Sequence, residues 1–221
     1  KTKTIEGVQK WYKKQTNTDF FVITPKIDGT SALITYQLDK DELNIYTRGD
    51  GFEGKRINFL NPIFFNSEIK ANVIKYLDSN KKNEFICRGE MIVKKTVFEK
   101  FKNDFKSSRS MVNGITNKKE IDEKSTKALN VIEFMLFEII DPDIIPSDQI
   151  KLAKSLGFIH VPLNLVAKKD FITNFEYSIV EQSHIGKNLI DYRDNYDYDI
   201  DGIIITSNKN YTLPDTGNPE Y

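Results

Sequence analysis

The sequence predicts an α+β fold built on antiparallel sheets, and three observations carry that prediction. Strand and helix patterns alternate irregularly, not as the repeated strand–helix–strand units of a parallel sheet. Two β-rich runs, Ser31 to Leu38 and Leu43 to Thr47, flank Asp39-Lys40-Asp41 and read as a hairpin. Apolar residues at helical spacing fall in separate, short windows between these runs.

The elements follow in chain order. Ile5, Val8 and Trp11 mark a short amphipathic helix. Phe20 to Thr24 is an apolar run closed by Pro25, a strand leading into a loop. After the hairpin, Ile69, Val73, Ile74 and Leu77 line one face of a helix with Ser67 as N-cap. Glu84 to Val93 is the next strand. Thr96 and Glu99 have capping-box spacing before Phe101 and Phe105, which predicts a helix there. Leu129 to Ile140 is the longest apolar stretch and predicts a central buried strand. Ser147 to Leu156 reads as a helix capped by Ser147 and stopped by Gly157, and Ile200 to Thr206 as a last buried strand.

With 221 residues the chain can bury a substantial core, and the expectation is one domain over residues 1–221. Hydrophobic residues make up 39% and charged residues 29%, an ordinary globular balance. No apolar run is long enough for a membrane-spanning helix and no secretory leader opens the chain. The single cysteine, Cys87, cannot form an internal disulfide, which points to a reducing, intracellular setting. The 32 basic side chains balance 32 acidic ones, so any nucleic-acid contact must be a local face of the surface. His160 and His184 lack metal-ligand spacing with Cys87, and no zinc site is expected. Starting at Lys1 and ending in Pro219-Glu220-Tyr221, the sequence reads as a piece of a longer protein.

Four segments carry the chemistry: Lys26-Ile27-Asp28-Gly29, Thr47-Arg48-Gly49-Asp50-Gly51, Arg88-Gly89-Glu90 and Asp201-Gly202-Ile203-Ile204-Ile205. Each sets charge beside glycine at a predicted strand end, where a scaffold presents side chains while backbone approaches a ligand closely. Singly, each also reads as a plain turn or a surface ion pair. Their order and spacing together say more than any one of them.

The order of these segments resembles the nucleotidyltransferases, and most closely the adenylation domain of NAD-dependent DNA ligases. The lysine tetrapeptide precedes a Thr-Arg-Gly-Asp-Gly-x-x-Gly run, matched from Thr47 to Gly54. Arg88-Gly89-Glu90 precedes an arginine-centred loop, matched at Ser107-Ser108-Arg109-Ser110, and Phe137 lies on the following buried strand. Arg193 stands eight residues before Asp201, and Gly217 to Tyr221 resemble the lead-in to a final lysine motif.

The resemblance implies a nucleotidyltransferase fold, with two antiparallel sheets flanked by helices around a nucleotide cleft. It implies a ligase domain that attaches AMP to Lys26 from NAD, with ATP the alternative cofactor and Mg²⁺ the metal, and then serves nicked double-stranded DNA. Catalysis would fall to Lys26, Asp28, Arg48, Glu90 and Asp201; the nucleotide would contact Thr24, Lys26, Ile27, Arg48, Glu90, Phe137 and Thr206. Arg88 would add to the positive field around the phosphates. Asp28, Glu90 and Asp201 would hold the metal, and Arg109, Arg193 and Lys118 would face DNA. A monomer is expected.

Three positions depart from the pattern. Thr24 stands where the family has an adenine-reading glutamate, Thr206 where it has a lysine, and Asn117 where it has an arginine, with Lys118 adjacent. Two alternatives stay open: an RNA ligase or capping enzyme of the same superfamily, and, motivated by Thr24 and Thr206, a nucleotide-binding module that has lost catalysis.

Overall fold

A computed structural model describes residues 4–49, 53–118, 123–173 and 184–210. The elements in order are α1 (Ile5–Lys13), β1 (Phe20–Ile27), β2 (Thr30–Gln37), β3 (Glu42–Thr47), a 3₁₀ turn (Asn58–Leu60), α2 (Asn61–Phe64) and α3 (Ser67–Asn80). There follow β4 (Glu84–Ile92), α4 (Lys95–Phe98), α5 (Ser108–Thr116), α6 (Glu123–Leu129), β5 (Glu133–Asp141) and α7 (Pro146–Leu156). The last are β6 (Asn164–Ala167), α8 (Lys168–Thr173), α9 (His184–Asn195) and β7 (Ile200–Ser207).

The strands form two antiparallel sheets, one in the order β6-β1-β7 and one in the order β3-β2-β4-β5. The expected α+β class with two antiparallel sheets is what the chain adopts. β2 and β3 pair across the 39–41 turn, where Asp41 takes a positive φ of 47° and accepts the Tyr36 hydroxyl at 2.8 Å.

Alternation decides which face each sheet buries. On β4, Phe85, Cys87 and Met91 point into the main core with Val73 and Leu77 of α3 and Met111, Val112 and Ile115 of α5. The other face of β4 carries Arg88 and Glu90. On β1, Phe21 and Ile23 pack with Phe171 of α8 and with Trp11 and Tyr12 of α1. The opposite β1 face carries Thr24 and Lys26. Between the sheets lies a third cluster that includes Ile27, Ile92, Met135 and Tyr198, with Phe137 packed against it.

Several boundaries differ from the sequence expectation. Pro25 does not end its strand: β6 pairs only as far as Ile23, so Pro25 sits where β1 has a single neighbour, and the strand runs to Ile27. Thr96 does not cap a helix, because its hydroxyl donates to Asp197 Oδ2 at 2.9 Å; a single turn, α4, replaces the expected helix. The N-cap of α3 is Asn66, not Ser67; Asn66 Oδ1 accepts from the Ile69 N–H at 3.0 Å. Ser147 lies inside α7, which Pro146 opens, and its N–H bonds to Asn208 Oδ1 at 2.9 Å. Leu129 closes α6, so the buried strand starts only at Glu133. Gly157 ends α7 as expected.

Phe171 is fully buried, 4.6 Å from the Phe21 ring and stacked on Tyr12 at 5.7 Å. Replacing it with alanine removes the contact that holds α1 and α8 to the back of β1. Phe171→Ala is expected to cost about 3–5 kcal/mol, read as a lowered urea midpoint.

Candidate active site

Lys26 comes at the end of β1, opposite Gly202 on β7. The next rung joins Ile27 to Ile200, so the register steps over Asp201 and makes a bulge on β7. Such a bulge bends its strand and re-aims a side chain. Here it turns the Asp201 carboxylate onto Lys26, and Nζ donates to Oδ2. The two side chains are 34% and 38% exposed, open to the cleft without being free in solvent.

Cross-strand alternation sets Thr24 opposite Ile204 and Val22 opposite Thr206. Thr24, Lys26, Ile204 and Thr206 therefore share one face. Ile204 is 38% exposed, an apolar platform beside the lysine. Ile27 points the other way, buried in the cluster between the sheets that Phe137 also joins.

Past Ile27 the chain crosses from one sheet to the other through Asp28-Gly29. A Cβ on Gly29 would lie 2.6 Å from both the Met91 carbonyl oxygen and Ile92 Cγ2, so only glycine passes against β4 this closely. The crossing places Ser31 opposite Glu90. Ser31 Oγ donates to Glu90 Oε1 at 2.6 Å, whereas Oε2 is buried with no hydrogen-bond partner. Burial raises the Glu90 pKa; Ser31, Lys26 and Arg109 oppose the rise and Asp28 adds to it. Lys26, Asp28, Arg109 and Glu90 are thus near enough to sense one another.

Arg109 reaches this group from the first turn of α5. Ser107 caps that helix, its Oγ accepting from the Ser110 N–H at 3.1 Å, and Arg109 Nη1 bonds Asp28 Oδ1 at 2.8 Å. Three further contacts hold α5 in place. Ser108 Oγ donates to Asp199 Oδ2 at 3.0 Å, Thr30 Oγ1 to Asn113 Oδ1 at 2.8 Å, and Lys55 Nζ to the Thr116 carbonyl at 2.9 Å.

The other expected residues lie further out. Arg48 is exposed on the loop after β3, where Gly49 takes a φ of 58° and a Cβ would strike the Glu53 carbonyl. Asp50 and Gly51 of that segment lie outside the described residues, as do Lys119 and the stretch from Gly217 to Tyr221. Arg88 shares a face with Glu90 but pairs with Glu138 at 3.2 Å. Arg193 is exposed on α9, and Lys118 donates to Ser125 Oγ at 2.6 Å.

The three carboxylates expected to hold Mg²⁺ do not form a shared cage. Asp28 is taken by Arg109 and Asp201 by Lys26, because the neighbouring cations neutralise them first. Among the described residues no three His, Cys, Asp or Glu side chains gather into a metal-binding group.

Two antiparallel sheets flanked by helices, with an ion-paired lysine, a desolvated glutamate and an arginine-bound aspartate where they meet, make up the fold of the ligase nucleotidyltransferases. The chain belongs to the NAD-dependent DNA ligase adenylation domain family, whose model matches residues 2–216. It is 31% identical over 216 residues to a DNA ligase of Acanthamoeba polyphaga mimivirus, covering 98% of this chain and 30% of that ligase. It is 28% identical over 193 residues to a DNA ligase of Mycoplasmopsis agalactiae, covering 85% of this chain and 26% of that one. The chain thus spans about a third or less of these relatives. In fold it resembles an archaeal ATP-dependent RNA ligase at a TM-score of 0.53 and 13% identity, covering 95% of this chain and 44% of that one. No helix among the described residues is long and apolar enough to cross a membrane.

Sequence reasoning gave no role of their own to Ser31, Ser108, Asp199 and Glu138. Ser108 stands inside the matched Ser107-Ser108-Arg109-Ser110 loop, and Ser31 two residues past Gly29 on the face of β2 that carries it toward Glu90.

A carboxyl whose folded pKa is raised costs stability once ionised, and the cost fades as pH falls through that raised value toward the ordinary glutamate value. Glu90→Gln is therefore expected to stabilise the fold at neutral pH. The gain should shrink in mildly acidic buffer, as measured by denaturant unfolding across pH.

Proposed function

We propose that this chain is the adenylation domain of a longer ligase and that Lys26 is its nucleophile. The observation that carries the reading is the Lys26–Asp201 contact at the bulge. Lys26 Nζ attacks the α-phosphorus of the nucleotide; an N–P bond forms and a P–O bond to the leaving group breaks. The leaving group is nicotinamide mononucleotide from NAD, or pyrophosphate from ATP. Asp201 Oδ2, already against the amine, takes the proton that Nζ sheds.

The remaining residues hold the nucleotide in line. Glu90 Oε2, buried and unpartnered, accepts a ribose hydroxyl, which satisfies an otherwise costly orphan. Ile204 and Thr24, on the face of Lys26, offer surface to adenine, with Thr206 two residues along β7; Ile27 and Phe137 back the site from the cluster between the sheets. Arg109 and Arg48 neutralise phosphate oxygens. Family membership favours NAD, and ATP is the second reading, since the archaeal structure with the same fold is ATP-dependent. Asp28, Glu90 or Asp201 would supply one or two oxygens to Mg²⁺ beside the nucleotide's phosphates, and the ion would neutralise charge on those phosphates. In the whole protein, AMP would pass from Lys26 to the 5′-phosphate of nicked DNA, displaced afterwards by the 3′-hydroxyl. Arg109, Arg193 and Lys118 are exposed where a phosphate backbone could meet them.

The test is intact mass of the full-length protein after incubation with Mg²⁺ and NAD or ATP. One added AMP from NAD, absent in Lys26→Ala, is expected. Asp201→Asn should slow adduct formation by about 100-fold or more. An adduct from ATP alone would reverse the choice of nucleotide, and an adduct that persists in Lys26→Ala would remove the assigned nucleophile.

A further inference from the structure

The four residues between α9 and β7 form a strap tied at every position. Lys95 Nζ donates to the Tyr196 carbonyl at 2.9 Å, and Asp197 accepts Thr96 Oγ1 at 2.9 Å. Tyr198 donates its hydroxyl to Glu133 Oε2 at 2.7 Å. Asp199 makes the last tie, and it makes two. Its carbonyl accepts the Asp28 N–H at 2.9 Å, and its Oδ2 accepts the Ser108 hydroxyl at 3.0 Å.

These contacts close a ring. Asp199 holds the Asp28 backbone, the Asp28 carboxylate holds Arg109, and Ser108, the residue before Arg109, returns to Asp199. Ser108 is 5% exposed, so its hydroxyl makes the bond away from water, where it is strongest and most costly to lose. The ring sits immediately beyond the bulge. The Asp28–Asp199 bond is the rung that follows Ile27–Ile200, and it fixes where the chain re-enters register after Asp201.

We infer that Asp199, held by Ser108, is a positioning residue for AMP transfer: it pins the bulge so that Asp201 meets Lys26, and it seats Arg109 on Asp28. This rests on Lys26 being the nucleophile. Asp199 touches neither the amine nor the nucleotide site, so its effect passes through the geometry of others. Misplacement of a reacting pair by about 1 Å costs on the order of 100-fold in rate.

The experiment compares Asp199→Ala, Asp199→Asn and Ser108→Ala in the full-length protein by two readouts. The first is the single-turnover rate of AMP attachment at saturating nucleotide, alongside nucleotide affinity. The second is the pH profile of Lys26 acetylation by trace acetic anhydride, read by peptide mass with Asp201→Asn as the reference for a lost contact. Asp199→Ala and Ser108→Ala are expected to slow attachment by about 10- to 100-fold with nucleotide affinity little changed. Their acetylation profiles should move to that of Asp201→Asn. Asp199→Asn keeps an oxygen for Ser108 and should stay close to wild type in both. A wild-type profile and rate in Asp199→Ala or Ser108→Ala would overturn the inference, as would an Asp199→Asn as impaired as Asp199→Ala. Should Asp199→Ala fail to fold, Ser108→Ala, which removes one hydroxyl, decides alone. If the wild-type protein forms no adduct with either nucleotide, the proposed function fails, and the acetylation profiles still decide the positioning role.

Discussion

The two-residue link Asp28-Gly29 is the constraint on which the cleft depends. It joins two sheets that belong to separate hydrogen-bond ladders, and it does so flush against β4, where no Cβ fits at Gly29. Close packing at that point sets how far Lys26, at the end of one sheet, stands from Glu90, in the middle of the other. The hydrophobic cluster between the sheets, with Ile27 and Ile92 on either side of the link, then resists any sliding. A wider joint would leave the same side chains present and too loosely arranged to act together.

Electrostatics in the cleft follow from this spacing. Positive and negative groups alternate: Lys26 with Asp201, Arg109 with Asp28, and Glu90 beside both pairs. Glu90 is desolvated enough for burial to outweigh its cationic neighbours. The partly exposed pairs contribute little to folding, since water screens them. Their value lies in orientation, because an ion pair fixes where an amine points before a phosphate arrives. The groups come from β1, β4, α5 and β7, and the contact between Lys26 and Asp201 spans 175 residues of sequence. Closing so long a separation is tolerable because the β1–β7 ladder and its apolar backing contribute the binding.

Much of this was legible in the sequence. Strand alternation around Ser31 to Leu38 and the charge-beside-glycine segments pointed to antiparallel sheets and to Lys26, Asp28, Glu90 and Asp201. Order and spacing made those four a set. Local signals failed where tertiary bonds overrode them: Thr96 and Glu99 have capping-box spacing, yet Thr96 is drawn to Asp197, a hundred residues away. Pro25 reads as a stop because a sequence does not reveal that the neighbouring strand ends first. Ser108 lies inside a matched loop that points only to Arg109, and Asp199 resembles any turn residue. Their importance is a property of which loops meet, and that is decided by the packing of α5 against β2 and β4.

The bulge on β7 also bears on how such a domain can vary. The register steps over Asp201, and on its far side Ile203 and Ile205 face the α1–α8 cluster while Ile204 faces the cleft. Deleting a residue from the strap would be absorbed most cheaply by erasing the bulge, which turns the aspartate away; if instead the strand slips, every isoleucine exchanges faces. Substitutions along residues 196–198 change single bonds, whereas a change of length rewrites the whole strand. Apart from Asp199, this short segment should therefore tolerate new side chains across a lineage far more readily than insertions or deletions.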